Sequence, residues 1–277
     1  MNLNRRKWLR RAMTAAALTP VAGLSYAFLE TGWIEITRPT IRVPRLPSAF
    51  SGLRVAVLTD IHHSLLTPIK FVSQVVDRTN AEKPDIVALV GDFVEGRDGV
   101  NRFDPCFAEL DRLAAPLGVI AVPGNHDYWN RIVYYHRAVA RTKIQDLTNN
   151  GTWLYKDGQR LRVGGVDDLW CGRPNLPAAL GDANDNDACL VLCHNPDYVE
   201  RLTDPRVGLV FGGHMHGGQV RLPFINPPVP SRYGTKYLHG LVQGPVTQVY
   251  VSRGLGTVSV PFRFRARPEI VVATLTS

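Results

Sequence analysis

Val207-Gly208-Leu209-Val210-Phe211-Gly212-Gly213-His214-Met215-His216-Gly217-Gly218-Gln219 joins an apolar, β-branched run to two imidazoles one residue apart between glycines. A short continuous apolar run bounded by turn residues reads as a buried strand, so both histidines stand at a strand's carboxyl end. Four earlier segments repeat the pattern. Val55-Ala56-Val57-Leu58 leads into Asp60-Ile61-His62, Ile86-Val87-Ala88-Leu89-Val90 into Gly91-Asp92, Val119-Ile120-Ala121-Val122 into Gly124-Asn125-His126-Asp127, and Leu190-Val191-Leu192 into Cys193-His194-Asn195-Pro196. Polar residues at the carboxyl ends of neighbouring strands converge on one edge of a sheet, where open α/β proteins bind their ligands.

Between these strands, Ile69, Val72, Val75, Val76 and Thr79 recur at helical spacing, as do Phe107, Leu110 and Leu113 after Pro105. Strands alternating with helices predict an α/β layer. In the second half, Arg160 to Val166, Val246 to Ser252 and Glu269 to Leu275 read as strands with few helices between them, which predicts a second sheet packed on the first within one domain. Residues 28–51, with Pro39, Pro44 and Pro47, read as an extended lead-in, so the domain is expected over 52–277. From Leu222 to Tyr237 the chain is rich in proline and reads as a surface loop directly after the histidine pair, placed either to wall a substrate site or simply to cross over.

The residue types at the strand ends suit metal. Imidazole favours zinc, iron and manganese, while carboxylate and amide oxygens favour harder cations, so the mixed set predicts a pair of transition-metal ions. Asp60 and His62, two apart, can reach one cation from a strand end. Asp92 can offer its two oxygens to two ions about 3.5 to 4 Å apart. Asn125 carries a neutral carbonyl oxygen, and His194, His214 and His216 supply nitrogens. His126 is expected to face substrate, with Asp127 orienting its ring. Each block alone is weak evidence; together they take five of the eight histidines. His63, His136 and His239 are assigned to surface or packing, His63 being the nearest to the site.

The order Asp-x-His, Gly-Asp, Gly-Asn-His-Asp, His, Gly-His-x-His resembles the calcineurin-like metallophosphoesterase superfamily over roughly residues 53–275. Gly165-Val166-Asp167-Asp168-Leu169-Trp170, Gly217-Gly218-Gln219 and Arg267-Pro268-Glu269-Ile270 are similar to its exported YaeI/YkuE-like phosphodiesterase branch. The resemblance implies a four-layer αββα sandwich of two mixed β-sheets flanked by helices. It implies two divalent ions (Mn, Zn or Fe), one held by Asp60, His62, Asp92 and His216, the other by Asp92, Asn125, His194 and His214. It further implies hydrolysis of a phosphodiester by an activated water, with His126 protonating the departing alkoxide. Relatives of the branch also look like enzymes that cut the pyrophosphate of a UDP-linked diacylglucosamine, a substrate made on the cytoplasmic side. A non-catalytic metal-binding scaffold is the reading of another class.

The N-terminus bears on which substrate is met. Arg5, Arg6, Lys7, Arg10 and Arg11 precede an apolar stretch from Ala12 to Phe28, with Ser25-Tyr26-Ala27 as a cleavage-like triplet. Residues 1–27 therefore read as an export signal or membrane anchor, and Arg5-Arg6 with Trp8-Leu9-Arg10 resembles the twin-arginine pattern. The expectation is an exported protein of the periplasm or cell envelope, acting on an envelope or lipid-linked phosphodiester with peripheral membrane contact. The chain has 32 Lys and Arg against 24 Asp and Glu, net +8. Five of the 32 lie in the signal, so residues 28–277 carry 27 against 24, net +3, and offer no basic stripe for nucleic acid. Six arginines (Arg173, Arg221, Arg232, Arg253, Arg263 and Arg265) flank the motifs, and one or two of them are expected to clamp phosphate. Trp170 and Tyr233 are expected to pack within the protein. Cys106, Cys171, Cys189 and Cys193 read as buried free thiols. The oligomeric state is open.

Overall fold

The computed structural model describes residues 23–96 and 98–277; most of the expected export signal lies outside them. In chain order the strands are β1 (Glu35–Thr37), β2 (Thr40–Arg42), β3 (Arg54–Leu58), β4 (Ile86–Val90), β5 (Val119–Val122), β6 (Gln145–Asp146), β7 (Asn150–Lys156), β8 (Gln159–Gly165), β9 (Cys189–Leu192), β10 (Val207–Gly212), β11 (Gly240–Gln243), β12 (Gln248–Val251) and β13 (Glu269–Thr276). The helices are α1 (Ile69–Ala81), α2 (Phe103–Leu110), α3 (Asn125–Trp129), α4 (Ile132–Val139) and α5 (Leu176–Leu180), preceded by helical residues 23–30. No helix among the described residues is long and apolar enough to cross a membrane.

Two mixed sheets face each other. The first runs β1-β13-β3-β4-β5-β6, with β2 also on β13, and the second runs β11-β12-β10-β9-β8-β7. In the first, β3, β4 and β5 are parallel and β13 is antiparallel to β3; in the second, β8, β9, β10 and β12 are parallel between antiparallel β7 and β11. Strand alternation sets the layers. Val55 and Val57 of β3 pack inward with Leu190, Leu192, Leu209 and Phe211 of the second sheet, while Ala56 and Leu58 pack outward beneath Val72, Val75 and Val76 of α1 and Phe103 and Phe107 of α2. The outer face of the second sheet is covered more thinly, by α5 and the 3-10 turn Pro196–Arg201 with Tyr198 and Val199. The result is the expected sandwich of two sheets flanked by helices.

Three expectations need correction. Glu269–Thr276, expected in the second sheet, lies inside the first: Ile270 and Val272 face the helices and Val271, Ala273 and Leu275 the intersheet core. A strand apolar on both faces belongs in a sheet's interior, and periodicity does not say which sheet. The lead-in 28–51 is woven into the same sheet, since β1 and β2 both pair in parallel with β13. Among the cysteines, Cys106, Cys189 and Cys193 are buried and unpaired, whereas Cys171 is exposed on the turn after Trp170.

Candidate metal centre

The loops leaving β3 and β4 do not separate at once. Asp60 N–H donates to the Gly91 carbonyl at 3.0 Å, His62 N–H to Asp92 at 3.0 Å and His63 N–H to Phe93 at 2.9 Å, so the two loops stay zipped beyond the sheet. From the second sheet, His194 Nδ1 reaches the Val90 carbonyl at 2.8 Å, and His214 N–H meets the Asp60 carboxylate at 3.0 Å. These bonds carry side chains from four strand ends onto one floor, and His126 N–H on Asp92 Oδ1 at 2.8 Å brings in the fifth. Gly91 permits the closeness: its φ is +79°, and a Cβ there would lie 2.7 Å from both Gly124 N and His194 Nδ1.

Six of the seven expected ligands gather on this floor in two groups, with Asn125 one residue past the Gly124 that lies against Asp92. Asp60, His62 and His216 form one, Asp92, His194 and His214 the other, and the nitrogens and oxygens within each lie within 4.8 Å of one another. His62 Nε2 stands 3.0 Å from His216 Nε2 and 3.6 Å from Asp92 Oδ2, and His194 Nε2 stands 3.0 Å from Asp92 Oδ2. Atoms about 2.0–2.2 Å from a common cation are about 3 Å apart, so these spacings fit a metal. Asn125 supports the same reading, because its buried Oδ1 and Nδ2 have no hydrogen-bond partner among the described residues. A buried amide without partners costs about 1–3 kcal/mol unless something else satisfies it.

Backbone strain is concentrated here too. Asp60, His62, Asp92, His214 and His216 have φ of 52°, 46°, 57°, 68° and 49°, a region non-glycine residues seldom adopt, and one that gathers at functional sites. The charges are arranged to match. Burial pushes the Asp60 and Asp92 carboxyls up, yet nearby imidazoles hold both below the ordinary range. Burial pushes the His194 ring down, but the Asp92 and Asp60 charges lift it to about 10, while burial takes His214 to about 3 and His216 to about 4. Two buried carboxylates thus demand positive charge at this point, and two neutral rings present lone pairs beside them.

The dyad expected of His126 and Asp127 is not formed. Asp127 sits at the third position of α3, and its carboxylate turns back to accept N–H bonds from Gly124 at 2.8 Å, Asp92 at 2.9 Å and Phe93 at 2.9 Å. Helix geometry aims it at the loop, so it locks that loop rather than the neighbouring ring. Glu95 takes the ring instead: His126 Nδ1 contacts Glu95 Oε2, which also lies 3.2 Å from His62 Nδ1. Burial pushes the Glu95 carboxyl up, but these two rings bring it down to about 2. Burial would lower His126, and the Asp92 charge with the Glu95 hydrogen bond raises it above its ordinary value. Glu95 lies three residues past Asp92, and only the continued pairing of the two loops brings it to His126.

Above the floor opens a cleft of about 810 Å³. Trp129 packs on His126 and Trp170 edge-on to His214, each with centroids 4.4 Å apart. The proline-rich segment, read as either wall or crossover, is a wall: Leu222, Ile225 and Pro227–Pro230 line one side, opposite Val258, Val260 and Phe262. No arginine among the described residues lines this cleft. Arg263 is buried under it, bonded to the Gly256, Arg253 and Ala266 carbonyls and 3.3 Å from His216 Nδ1, and Arg253 is paired with Glu35 and Glu269. His63 binds the Thr67 carbonyl, outside the cluster.

Two facing sheets with a carboxylate, amide and imidazole floor at their common edge define a metal-dependent phosphoester hydrolase. Residues 53–218 match the model of the calcineurin-like phosphoesterase family, to which this chain belongs. It is 34% identical to the metallophosphoesterase YkuE of Bacillus subtilis, over 99% of this chain and 98% of that one. It is 29% identical to the phosphodiesterase YaeI of Escherichia coli, over 99% of both. The fold is shared with the NAD nucleotidase of Haemophilus influenzae, with a TM-score of 0.52, 14% identity and coverage of 73% of this chain and 45% of that one.

Proposed function

We propose that this chain is a dinuclear phosphodiesterase of the cell envelope, exported by the twin-arginine route and hydrolysing a lipid-linked phosphodiester at a membrane. The carrying observation is the pair of groups sharing one floor, with Asp92 within reach of rings in both. Asp60, His62, Asp92 and His216 would hold one ion and Asp92, Asn125, His194 and His214 the other, drawn from manganese, zinc and iron. Bound there, such ions supply Lewis acidity that activates a water and neutralises phosphate oxygens.

The chain's own residues do the rest. His126 sits on the cleft side of the floor, with Nδ1 held by Glu95 and so with Nε2 directed away from that carboxylate. A proton at Nε2 serves a departing alkoxide. Trp129 packs against the same ring. Asp127 holds the backbone N–H groups of Asp92, Phe93 and Gly124 and so sets the loop on which Asp92 and His126 ride. The aromatic and aliphatic walls favour a substrate with apolar parts flanking its phosphate.

The test is elemental analysis with turnover on bis-p-nitrophenyl phosphate and on an alkyl phosphodiester for the wild type, Asp92→Asn and His126→Gln. Asp92→Asn should lose metal and turnover together. His126→Gln should keep metal and lose most turnover on alkyl phosphodiesters, whose leaving groups need a proton. Full metal content in the first, or undiminished alkyl ester turnover in the second, removes the corresponding role.

A further inference from the structure

The rim of the cleft is apolar where a soluble surface normally is not. At the tip of the proline-rich wall, Phe224 is fully exposed with φ of 65°, and its neighbours Leu222 and Ile225 are also exposed. A large aromatic held outward on a left-handed backbone, between Pro223 and Pro227, gains nothing within this fold. The base of the loop is stapled to the opposite wall, Arg221 N–H to the Phe264 carbonyl at 2.9 Å and Phe264 N–H to Gln219 at 2.9 Å. That wall is in turn stapled to helical residues 23–30: Arg263 N–H donates to the Ala27 carbonyl at 3.1 Å, and Phe28 meets Phe262, and Tyr26 Phe264, with centroids 5.7 Å apart. Glu30 fixes the join by accepting from the N–H of Arg265 at 3.0 Å. Leu24, Phe28 and Leu29 of this helix are exposed.

Loop tip, cleft wall and helix thus form one apolar rim. Arg265 and Arg267 are exposed beside it. The chain leading into the helix is apolar from Ala12 onward and, before that, carries Arg5, Arg6, Lys7, Arg10 and Arg11. Apolar side chains ringed by cations, on the face where an apolar and basic segment joins, fit a bilayer with anionic headgroups.

We infer that residues 1–27 stay attached as an anchor, and that the loop tip 223–225 and the exposed face of residues 24–29 dock together on an anionic lipid bilayer, so that the metal cleft opens onto the headgroups. The choice of lipid rests on the phosphodiesterase reading above. The docked face itself is defined by Phe224 and Leu29, neither of which lines the cleft.

The experiment uses the full chain with a Cys171→Ser background, in which the remaining cysteines are buried. An environment-sensitive fluorophore is placed by Phe224→Cys, by Leu29→Cys, and, at the far end of the second sheet, by Asp157→Cys. With phosphatidylglycerol vesicles, the probes at 224 and 29 should shift to the blue and the probe at 157 should not; phosphatidylcholine vesicles should give a weaker response. Phe224→Asp with Leu29→Asp should lower the vesicle partition coefficient at least about tenfold, since both large apolar side chains are lost from the bilayer. Its bis-p-nitrophenyl phosphate turnover should be unchanged. Vesicle binding with no shift at 224 overturns the inference, because the N-terminal segment then anchors alone. A shift at 224 that needs only raised protein concentration makes a second copy the occupant and also overturns it. An inactive wild type that still docks refutes the catalytic reading and leaves the surface intact.

Discussion

Replacing Glu95 by Gln isolates the one carboxylate that touches His126 without being among the proposed ligands. In the native arrangement Glu95 Oε2 contacts His126 Nδ1 and lies 3.2 Å from His62 Nδ1, and the side chain is only a quarter exposed. Gln keeps the length and one acceptor oxygen but removes the charge from two hydrogen bonds at once. A hydrogen bond to a charged group is worth about 1.5–3 kcal/mol, so the His126 contact alone accounts for about 10–100-fold in rate if the ring must hold a proton in the transition state. Loss of the charged His62 contact should weaken metal binding, since partners of a ligand's second nitrogen typically contribute about 10–100-fold in affinity. Turnover is therefore measured at saturating divalent metal, on an alkyl phosphodiester and on bis-p-nitrophenyl phosphate in parallel. The expected result is a large loss of kcat on the alkyl ester and a small one on the nitrophenyl ester, whose leaving group needs little protonation. Equal losses on both at saturating metal, or no loss on the alkyl ester, would refute the positioning role of Glu95.

The remaining expectations concern the frame. Gly91→Ala puts a Cβ 2.7 Å from Gly124 N at φ of +79°; about 1–2 kcal/mol for the backbone and about 1–3 kcal/mol for overpacking should lower Tm by roughly 5–15 °C and reduce metal content. Both are read by calorimetry and elemental analysis, and an unshifted Tm would show that the loops yield freely. Chelation should lower Tm reversibly, because an ion at 100 times its Kd adds about 2.7 kcal/mol to the folded state; a Tm indifferent to chelator and to added manganese or zinc would contradict a cation on this floor. Away from the site, the Asp146 hydrogen bond raises His136 above its ordinary 6.5, and the His136 and Thr148 bonds hold Asp146 below its ordinary 3.8 against burial. The stability from His136 is present in full below pH 6.5 and is lost as pH rises through its folded-state value. That from Asp146 is lost as pH falls through its own. His136→Ala should thus lower Tm most near pH 5–6, by a few degrees at most for a half-exposed pair worth about 0.2–1 kcal/mol, and hardly at all at pH 9; equal shifts at both would show that no charge is involved.

What was legible in the chain follows from how each residue is positioned. The seven floor residues could be found because each stands within a few residues of the end of an apolar run, and a strand's end is fixed by its own sequence. Glu95 was not legible: its place depends on the loops after β3 and β4 pairing through His63 and Val94, with Glu95 N–H on the His63 carbonyl at 3.2 Å, and two loops carry no pattern that announces such a pairing. Asp127 misled because adjacency in sequence suggested contact, whereas helix geometry turned its carboxylate to the preceding backbone. The sheet of β13 was hidden because its two apolar faces fit either sheet.

The division of the floor between the sheets has a consequence for how the protein holds together. Asp60, His62, Asp92 and Asn125 come from the first sheet and supply oxygen except for the His62 ring; His194, His214 and His216 come from the second and supply nitrogen. Neither sheet alone carries a complete set, so a cation bound on this floor bonds the two sheets at their common edge. Protein hydrogen bonds already join that edge, among them Leu255 N–H on the Thr59 carbonyl at 3.1 Å and Gly256 N–H on the Asp60 carbonyl at 2.6 Å, yet its backbone is strained. His194 Nδ1 on Val90 and His214 N–H on Asp60 cross the gap, while five of the floor residues sit at positive φ. Strain of about 1–3 kcal/mol at each such residue persists only where the surroundings over-determine the conformation. The bulk intersheet core determines the layers, but the loops at the edge need the charge at their centre. Site and fold are coupled through that edge, which is why the same substitutions that remove a ligand should also loosen the packing of one sheet on the other.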